Sequence, residues 1–160
     1  MGRKGGVKIT YKGDYALKAV LQLALKYHED KNDVVSINEI AKSGDMPIKF
    51  LEQILLTLRK GGFVKSRRGL KGGFFLAKPP SEITVGAIVR FIEGPVEPIS
   101  CVGEECYEGC KDLATCIFRN MWKDVGRAIS LVIDTVTFED LVIKYKENVL
   151  HVGPVYDYTI

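Results

Sequence analysis

Apolar side chains at Tyr15, Ala16, Ala19, Val20, Leu23, Ala24 and Tyr27 recur in steps of one, three and four. That spacing lines one face of a helix over residues 14–27, and Asp14, just after Gly13, is its expected N-cap. The polar run from His28 to Asp33 reads as a loop in which the lone histidine is solvated. Ser36 with Glu39 three residues on is a capping box, and it opens a short helix through Lys42. Ser43-Gly44-Asp45 makes a turn, and Pro47 suits the start of another helix. Ile48, Leu51, Ile54, Leu55 and Leu58 form its expected buried stripe, and Gly61-Gly62 ends it.

From here the period changes. Residues 63–68 read as a strand, 69–73 as a glycine-rich turn and 74–77 as the returning strand, giving a basic β-hairpin. Thr84 is placed to cap a helix through Ile92 that Glu93-Gly94-Pro95 terminates. A short capped helix, a glycine turn, a second helix and a basic hairpin make a winged helix-turn-helix. Farther on, Trp122, Val125, Ile129, Val132 and Val136 recur in steps of three and four, an a/d seam on a helix of about five turns. Such a helix either packs on its own domain or pairs with a second copy. Leu131 and Ile133 add apolar surface off the seam, which favours dimerisation. Thr137 begins a short last helix, and the apolar and aromatic tail 151–160 follows no pattern. The expected fold is mostly α with a small β-hairpin wing. Its organisation is a winged helix-turn-helix domain over 8–95, a cysteine-rich loop over 96–118, a dimerisation helix and short C-terminal helix over 119–150, and the tail.

The 160 residues suit one domain, alone or with an appended arm, and contain no apolar run of about 18 residues, so no membrane span is expected. Met1 to Gly6 lacks the apolar core of a secretory signal, which points to a cytoplasmic protein. The net charge of +3 hides an asymmetry. Residues 1–80 carry 16 Lys and Arg against 7 Asp and Glu, whereas residues 81–160 carry 7 against 13. The first half is therefore suited to a polyanion such as double-stranded DNA. No nucleophile–base set or phosphate-binding glycine motif is evident, so an enzyme is not expected; the wing glycines sit in a hairpin rather than between a strand and a helix.

All four cysteines fall in one stretch, Cys101, Cys106, Cys110 and Cys116, with four, three and five residues between them. Thiolates so closely spaced can converge on one metal centre. Zinc knuckles separated by a dozen or more residues are missing, which favours an iron–sulfur cluster, 2Fe–2S or 4Fe–4S, over structural zinc. Inert or redox-active thiols are the alternative. Glu104, Glu105, Glu108 and Asp112 make this loop acidic, so it is not a DNA contact surface.

Several segments carry a family resemblance: Ile9-Thr10-Tyr11-Lys12-Gly13-Asp14-Tyr15-Ala16-Leu17, Phe50-Leu51-Glu52-Gln53, Leu58-Arg59-Lys60-Gly61-Gly62, Arg67 to Phe74, and Cys116 with Trp122 six residues on. Across roughly residues 8–145 the chain resembles the winged-helix iron–sulfur regulators of the IscR and NsrR type. The resemblance implies a homodimeric repressor-like transcription regulator with its cluster between the wing-bearing domain and the dimerisation helix. It also implies that Glu52 and Gln53 read bases and that Cys110 and Cys116 are ligands; Arg59, Arg67, Arg68, Gly69 and Lys71 are placed to complete the DNA contact, with Lys49, which stands where the family commonly has a small hydroxyl residue and so shifts the preferred sequence. Glutamate accepts from cytosine and glutamine pairs with adenine, so these residue types suit major-groove reading. Wing arginine and glycines suit a narrow minor groove.

The family pattern has three cysteines at five-residue intervals and a histidine three residues after the last. Here Cys101 and Cys106 compete for the first position, with Cys101 favoured because it follows the Pro98-Ile99 segment. Arg119 stands where the histidine would be and cannot ligate. The fourth ligand is either the extra cysteine, Cys106, or Asp14, which falls where NsrR-like members place a carboxylate from the partner subunit. A different reading, an electron-transfer or metal-handling protein (zinc or iron–sulfur) with a winged-helix docking module, is separated from the regulator by a gel shift.

Overall fold

Helix α1 (Tyr11–Glu29) begins before Asp14, because Thr10 supplies the cap. The Thr10 hydroxyl accepts from the Lys12 and Gly13 N–H groups at 3.2 and 3.5 Å, and the Asp14 N–H donates to the Thr10 carbonyl at 3.0 Å. Asp14 therefore lies inside the first turn rather than at the N-cap. Thr10 is itself held from far along the chain, its N–H and hydroxyl both donating to Glu93 Oε1, at 3.1 and 2.6 Å. The computed structural model describes residues 9–29, 33–69, 71–102 and 115–151.

The helical span also takes in His28, expected in a solvated loop. Its Nε2 lies 2.9 Å from Glu139 Oε2, because the last turn of α1 abuts the first turn of the final helix. Helix α2 (Ile37–Gly44) starts on the full capping box: the Ser36 N–H donates to Glu39 at 2.8 Å and the Glu39 N–H to the Ser36 hydroxyl at 3.3 Å. Asp45 closes it in the left-handed region at φ 49°. Pro47 then occupies the N-cap position of α3 (Ile48–Lys60). Leu51, Ile54, Leu55 and Leu58 are buried as their spacing predicts, whereas Ile48 is 44% exposed, since the first turn of α3 projects beyond the core.

Strands β1 (Val64–Arg67) and β2 (Gly73–Leu76) pair antiparallel, Val64 opposite Leu76 and Arg67 opposite Gly73. Val35 bridges to Phe74 on the other edge of β2, with N–H···O bonds of 2.9 Å in both directions. A Cβ on Gly73 would lie 2.5 Å from the Val35 carbonyl oxygen, so only glycine permits this approach. After a 3₁₀ turn at Pro80–Glu82, α4 (Val85–Glu93) is capped by Thr84, whose hydroxyl accepts from the Ala87 N–H at 3.1 Å, and it stops at Gly94.

Helix α5 (Phe118–Thr135) has no buried residue and rides on α4. Helix α6 (Phe138–His151) has 14 residues, longer than the short helix expected. Phe138 and Val142, 0% and 1% exposed, join the core built from α1, α2, α3, the wing and α4. The chain thus leaves its core for α5 and returns to it in α6. Phe138→Ala should cost about 3–5 kcal/mol of stability through lost burial and the cavity left behind, read as a lower urea midpoint. A midpoint unchanged within error would remove α6 from the core.

Helix α6 repeats the device of α2. The Thr137 N–H and hydroxyl donate to Asp140 at 2.9 and 2.6 Å, and the Asp140 N–H donates back to the hydroxyl at 3.2 Å. Hydrogen bonds from the side chain and backbone of Ser36, and of Thr137, hold the Glu39 and Asp140 carboxyls below the usual carboxylate range. Their contribution is complete above the ordinary carboxylate pKa and fades as pH falls through the lowered folded values.

Candidate nucleic-acid interface and cysteine site

Burial of Leu51, Ile54, Leu55 and Leu58 turns the opposite face of α3 outward. Lys49, Glu52, Gln53, Arg59 and Lys60 are all exposed there. The side chains of Lys49, Glu52 and Gln53 make no hydrogen bond or ion pair with other described residues, which leaves them available to a ligand. Arg59 differs. Its Nη1 donates to the Ser66 hydroxyl at 3.1 Å and ties the end of α3 to β1.

The wing carries the remaining cations. The Arg67 guanidinium stacks 5.8 Å from the centre of the Phe75 ring, and Arg68 and Lys71 are exposed at the tip. The tip turn is closed by the Gly72 N–H donating to the Gly69 carbonyl at 2.9 Å, with Gly69 at φ 116°. Helix and wing form one rigid unit: the Phe63 N–H donates to the Leu58 carbonyl at 3.1 Å, and the Phe63 ring packs 5.3 Å from that of Phe91 on α4. The eight residues expected to face DNA therefore lie on one connected element pair.

Two side chains on α3 escaped the sequence reading. Phe50 is 65% exposed and Leu56 is 39% exposed. Both fall off the 51/54/55/58 stripe, a signal already present in the spacing.

At the other end of α4, the chain runs past Pro98 into a 3₁₀ turn, Ser100–Val102, that packs on α5. Pro98 lies against Gly126, where a Cβ would sit 3.3 Å from the proline ring. Cys101 in this turn and Cys116 just before α5 are free thiols, each partly buried. Cys106 and Cys110 lie outside the described residues, and among the described residues no three candidate ligands come together. The donor chemistry nonetheless suits a cluster: thiols stand at both ends of the segment, with two more in the sequence between them. No side chain caps α5, whose first turn presents the positive end of a helix dipole next to Cys116. Arg119 is partly buried there, and its Nε has no hydrogen-bond partner among the described residues. Asp14 sits half exposed on α1 and pairs with Lys18 at 2.9 Å, which raises the lysine pKa.

Of the expected seam on α5, Val132 is exposed, whereas Trp122, Val125, Ile129 and Val136 are partly covered within the protomer. Arg90 on α4 grips Asp134 and donates to the Ser130 hydroxyl at 3.0 Å, so Gly126, Ser130 and Asp134 mark the side facing the domain. Trp122 and Ile129 are partly covered at its margin. Phe118, Met121, Ala128 and Val132 are exposed, with Val125 partly covered between them, and together they recur in steps of three and four. Leu131 beside them is 68% exposed.

A helix-turn-helix braced to a basic two-stranded wing defines a winged-helix DNA-binding regulator. The family model described as Rrf2, iron-dependent transcriptional regulator, matches residues 9–144. The chain is 40% identical over 136 residues to a protein of Rhodobacter capsulatus described as an rrf2-like HTH-type transcriptional regulator, covering 83% of this chain and 91% of that one. Its structure is similar to that of CymR, the global cysteine regulator of B. subtilis, with a TM-score of 0.71 and 35% identity over 86% of this chain and 97% of the other. T. potens IscR gives a TM-score of 0.70 and 30% identity over 96% and 98% of the two chains. The chain belongs to the Rrf2 family of transcription regulators. Among the described residues no helix is long and apolar enough to cross a membrane.

Proposed function

We propose that the protein is a non-enzymatic, homodimeric, sequence-specific repressor-type regulator whose operator binding is modulated by an iron–sulfur cluster held by the cysteine loop. The observation that carries the DNA-reading half is the exposed trio Lys49, Glu52 and Gln53, unbonded among the described residues, on a helix braced against a basic wing. Glu52 and Gln53 supply base-edge contacts. Lys49, Arg59, Arg67, Arg68, Gly69 and Lys71 supply backbone contacts and fit to the grooves. The matched proteins are regulators, which supports this reading over an electron-transfer or metal-handling module.

Cys101, Cys110 and Cys116 would hold the cluster, with Cys106 or a partner's Asp14 completing it. The chemistry it supplies when bound is an iron centre reactive to redox change or nitric oxide. This chain's own contacts connect that loop to the DNA face. Pro98 seats the loop on α5, Asp134 and Ser130 join α5 to Arg90, and Phe91 joins α4 to the wing through Phe63. A change in the loop therefore has a packed route by which to shift α5, and with it the spacing of two half-site readers. The likeness to CymR favours a second reading, in which the four thiols themselves are the sensor and no cluster is bound.

A gel shift with genomic fragments tests DNA reading. Affinity should fall roughly a thousandfold or more between about 50 and 200 mM salt if the dimer neutralises about six to ten phosphates. Arg68→Ala should weaken binding on all sequences, and Gln53→Ala or Glu52→Ala should chiefly alter sequence preference. Unchanged affinity and preference in all three variants would remove α3 and the wing from the interface.

A further inference from the structure

We infer that Phe50 is a specificity-determining residue that packs on the C5 methyl group of a thymine beside the bases faced by Glu52 and Gln53. The inference rests on the assignment of α3 as the reading helix. Phe50 lies in the first turn of α3 and is 65% exposed, while the neighbouring Leu51 is fully buried. Its backbone is fixed, the Phe50 N–H donating to the Pro47 carbonyl at 3.1 Å, so the ring is presented from a rigid turn. At about 100° per residue Phe50 shares a face with Gln53 and Thr57, while Ile48 points to the opposite flank. Along α3 the ring therefore stands next to polar Gln53 and Thr57, away from the exposed Ile48 and Leu56, and does not extend into an apolar stripe with them.

Charge names the occupant. Lys49, Arg59 and Lys60 on α3, with Arg67, Arg68 and Lys71 on the wing, make the surface that carries the ring basic, and Glu52 is the only acid on α3. Such a surface suits a polyanion. A helix of this kind lies in the major groove, where thymine presents a methyl carbon to an aromatic side chain. Phenylalanine has no polar atom with which to read any other base edge, so what it contributes is discrimination by shape and burial.

The test uses the full-length protein and double-stranded sites selected by it from a random library. Each thymine of a selected site is replaced in turn by deoxyuridine, which removes only the methyl group, and dissociation constants are measured for wild type and Phe50→Ala. One thymine per half-site should lose about fourfold on losing its methyl, the effect of unburying one methyl-sized group. Phe50→Ala should bind the thymine and deoxyuridine sites equally, and Phe50→Leu should keep part of the difference. Thermal melting of both variants should match wild type, because the ring is outside the core. A flat deoxyuridine scan in wild type, or an undiminished difference in Phe50→Ala, overturns the inference. Gln53→Ala and Arg68→Ala run alongside: if neither changes binding, the reading-helix assignment fails, whereas if they weaken binding and the scan is flat, only the role of Phe50 fails.

Discussion

Val132→Asp should convert the protein from a dimer to monomers and reduce operator affinity on the order of a hundredfold or more, because two tethered half-site readers gain that much from simultaneous binding. Val132 is 61% exposed in the protomer, within the stripe of Phe118, Met121, Val125 and Ala128. The carboxylate therefore costs the folded monomer little but would be stranded in an apolar two-fold interface. Ile129→Asp is a poorer probe, since Ile129 is partly covered within its own protomer. Sedimentation at micromolar concentration checks the result. A wild-type monomer, or a Val132→Asp dimer with full affinity, would contradict the assignment of α5 as the dimer helix.

The other large effect belongs to the cysteines. Serine in place of Cys110 or Cys116 should abolish the visible iron–sulfur absorption altogether, since both keep the family spacing. Cys101 and Cys106 then separate the two ligand sets. With four thiolates, Cys101→Ser and Cys106→Ser should each make the cluster labile while Asp14→Ala leaves the spectrum unchanged. With a carboxylate from the partner subunit, one of those cysteines is dispensable and Asp14→Ala shifts the spectrum. The ion pair with Lys18 does not hinder the second outcome, because both side chains are 46% exposed and such a surface pair is weak. An oxygen ligand exchanges readily and would suit sensing of a small diatomic molecule.

Local chemistry made much of this fold legible. The Ser36–Glu39 box, the Thr84 cap, the 51/54/55/58 stripe and the hairpin each depend on residues within a few positions, and the structure carries all four. What was not legible depends on distant partners. The start of α1 is set by Glu93 acting on Thr10, 83 residues away, so Asp14 took the wrong role. His28 is exposed as expected, but its place in the helix and its contact with Glu139, 111 residues away, are invisible to local pattern. The orientation of α5 depends on a distant partner too: periodicity finds a helix with apolar positions, but the Arg90–Asp134 grip decides which side faces the domain. Phe50 lies in the segment Phe50-Leu51-Glu52-Gln53, yet its exposure follows only from the direction in which α3 buries its leucines. The cysteine spacing was plain in the sequence. How four thiols are arranged is not legible in spacing, since a metal centre would itself impose their geometry.

Purification without oxygen, followed by an ultraviolet–visible spectrum and analysis of iron, acid-labile sulfide and zinc, bears most directly on the central claim. The account predicts a coloured protein holding iron and sulfide in comparable amounts, with an absorption that changes on exposure to oxygen or nitric oxide. A colourless protein holding zinc, or no metal at all, would contradict it.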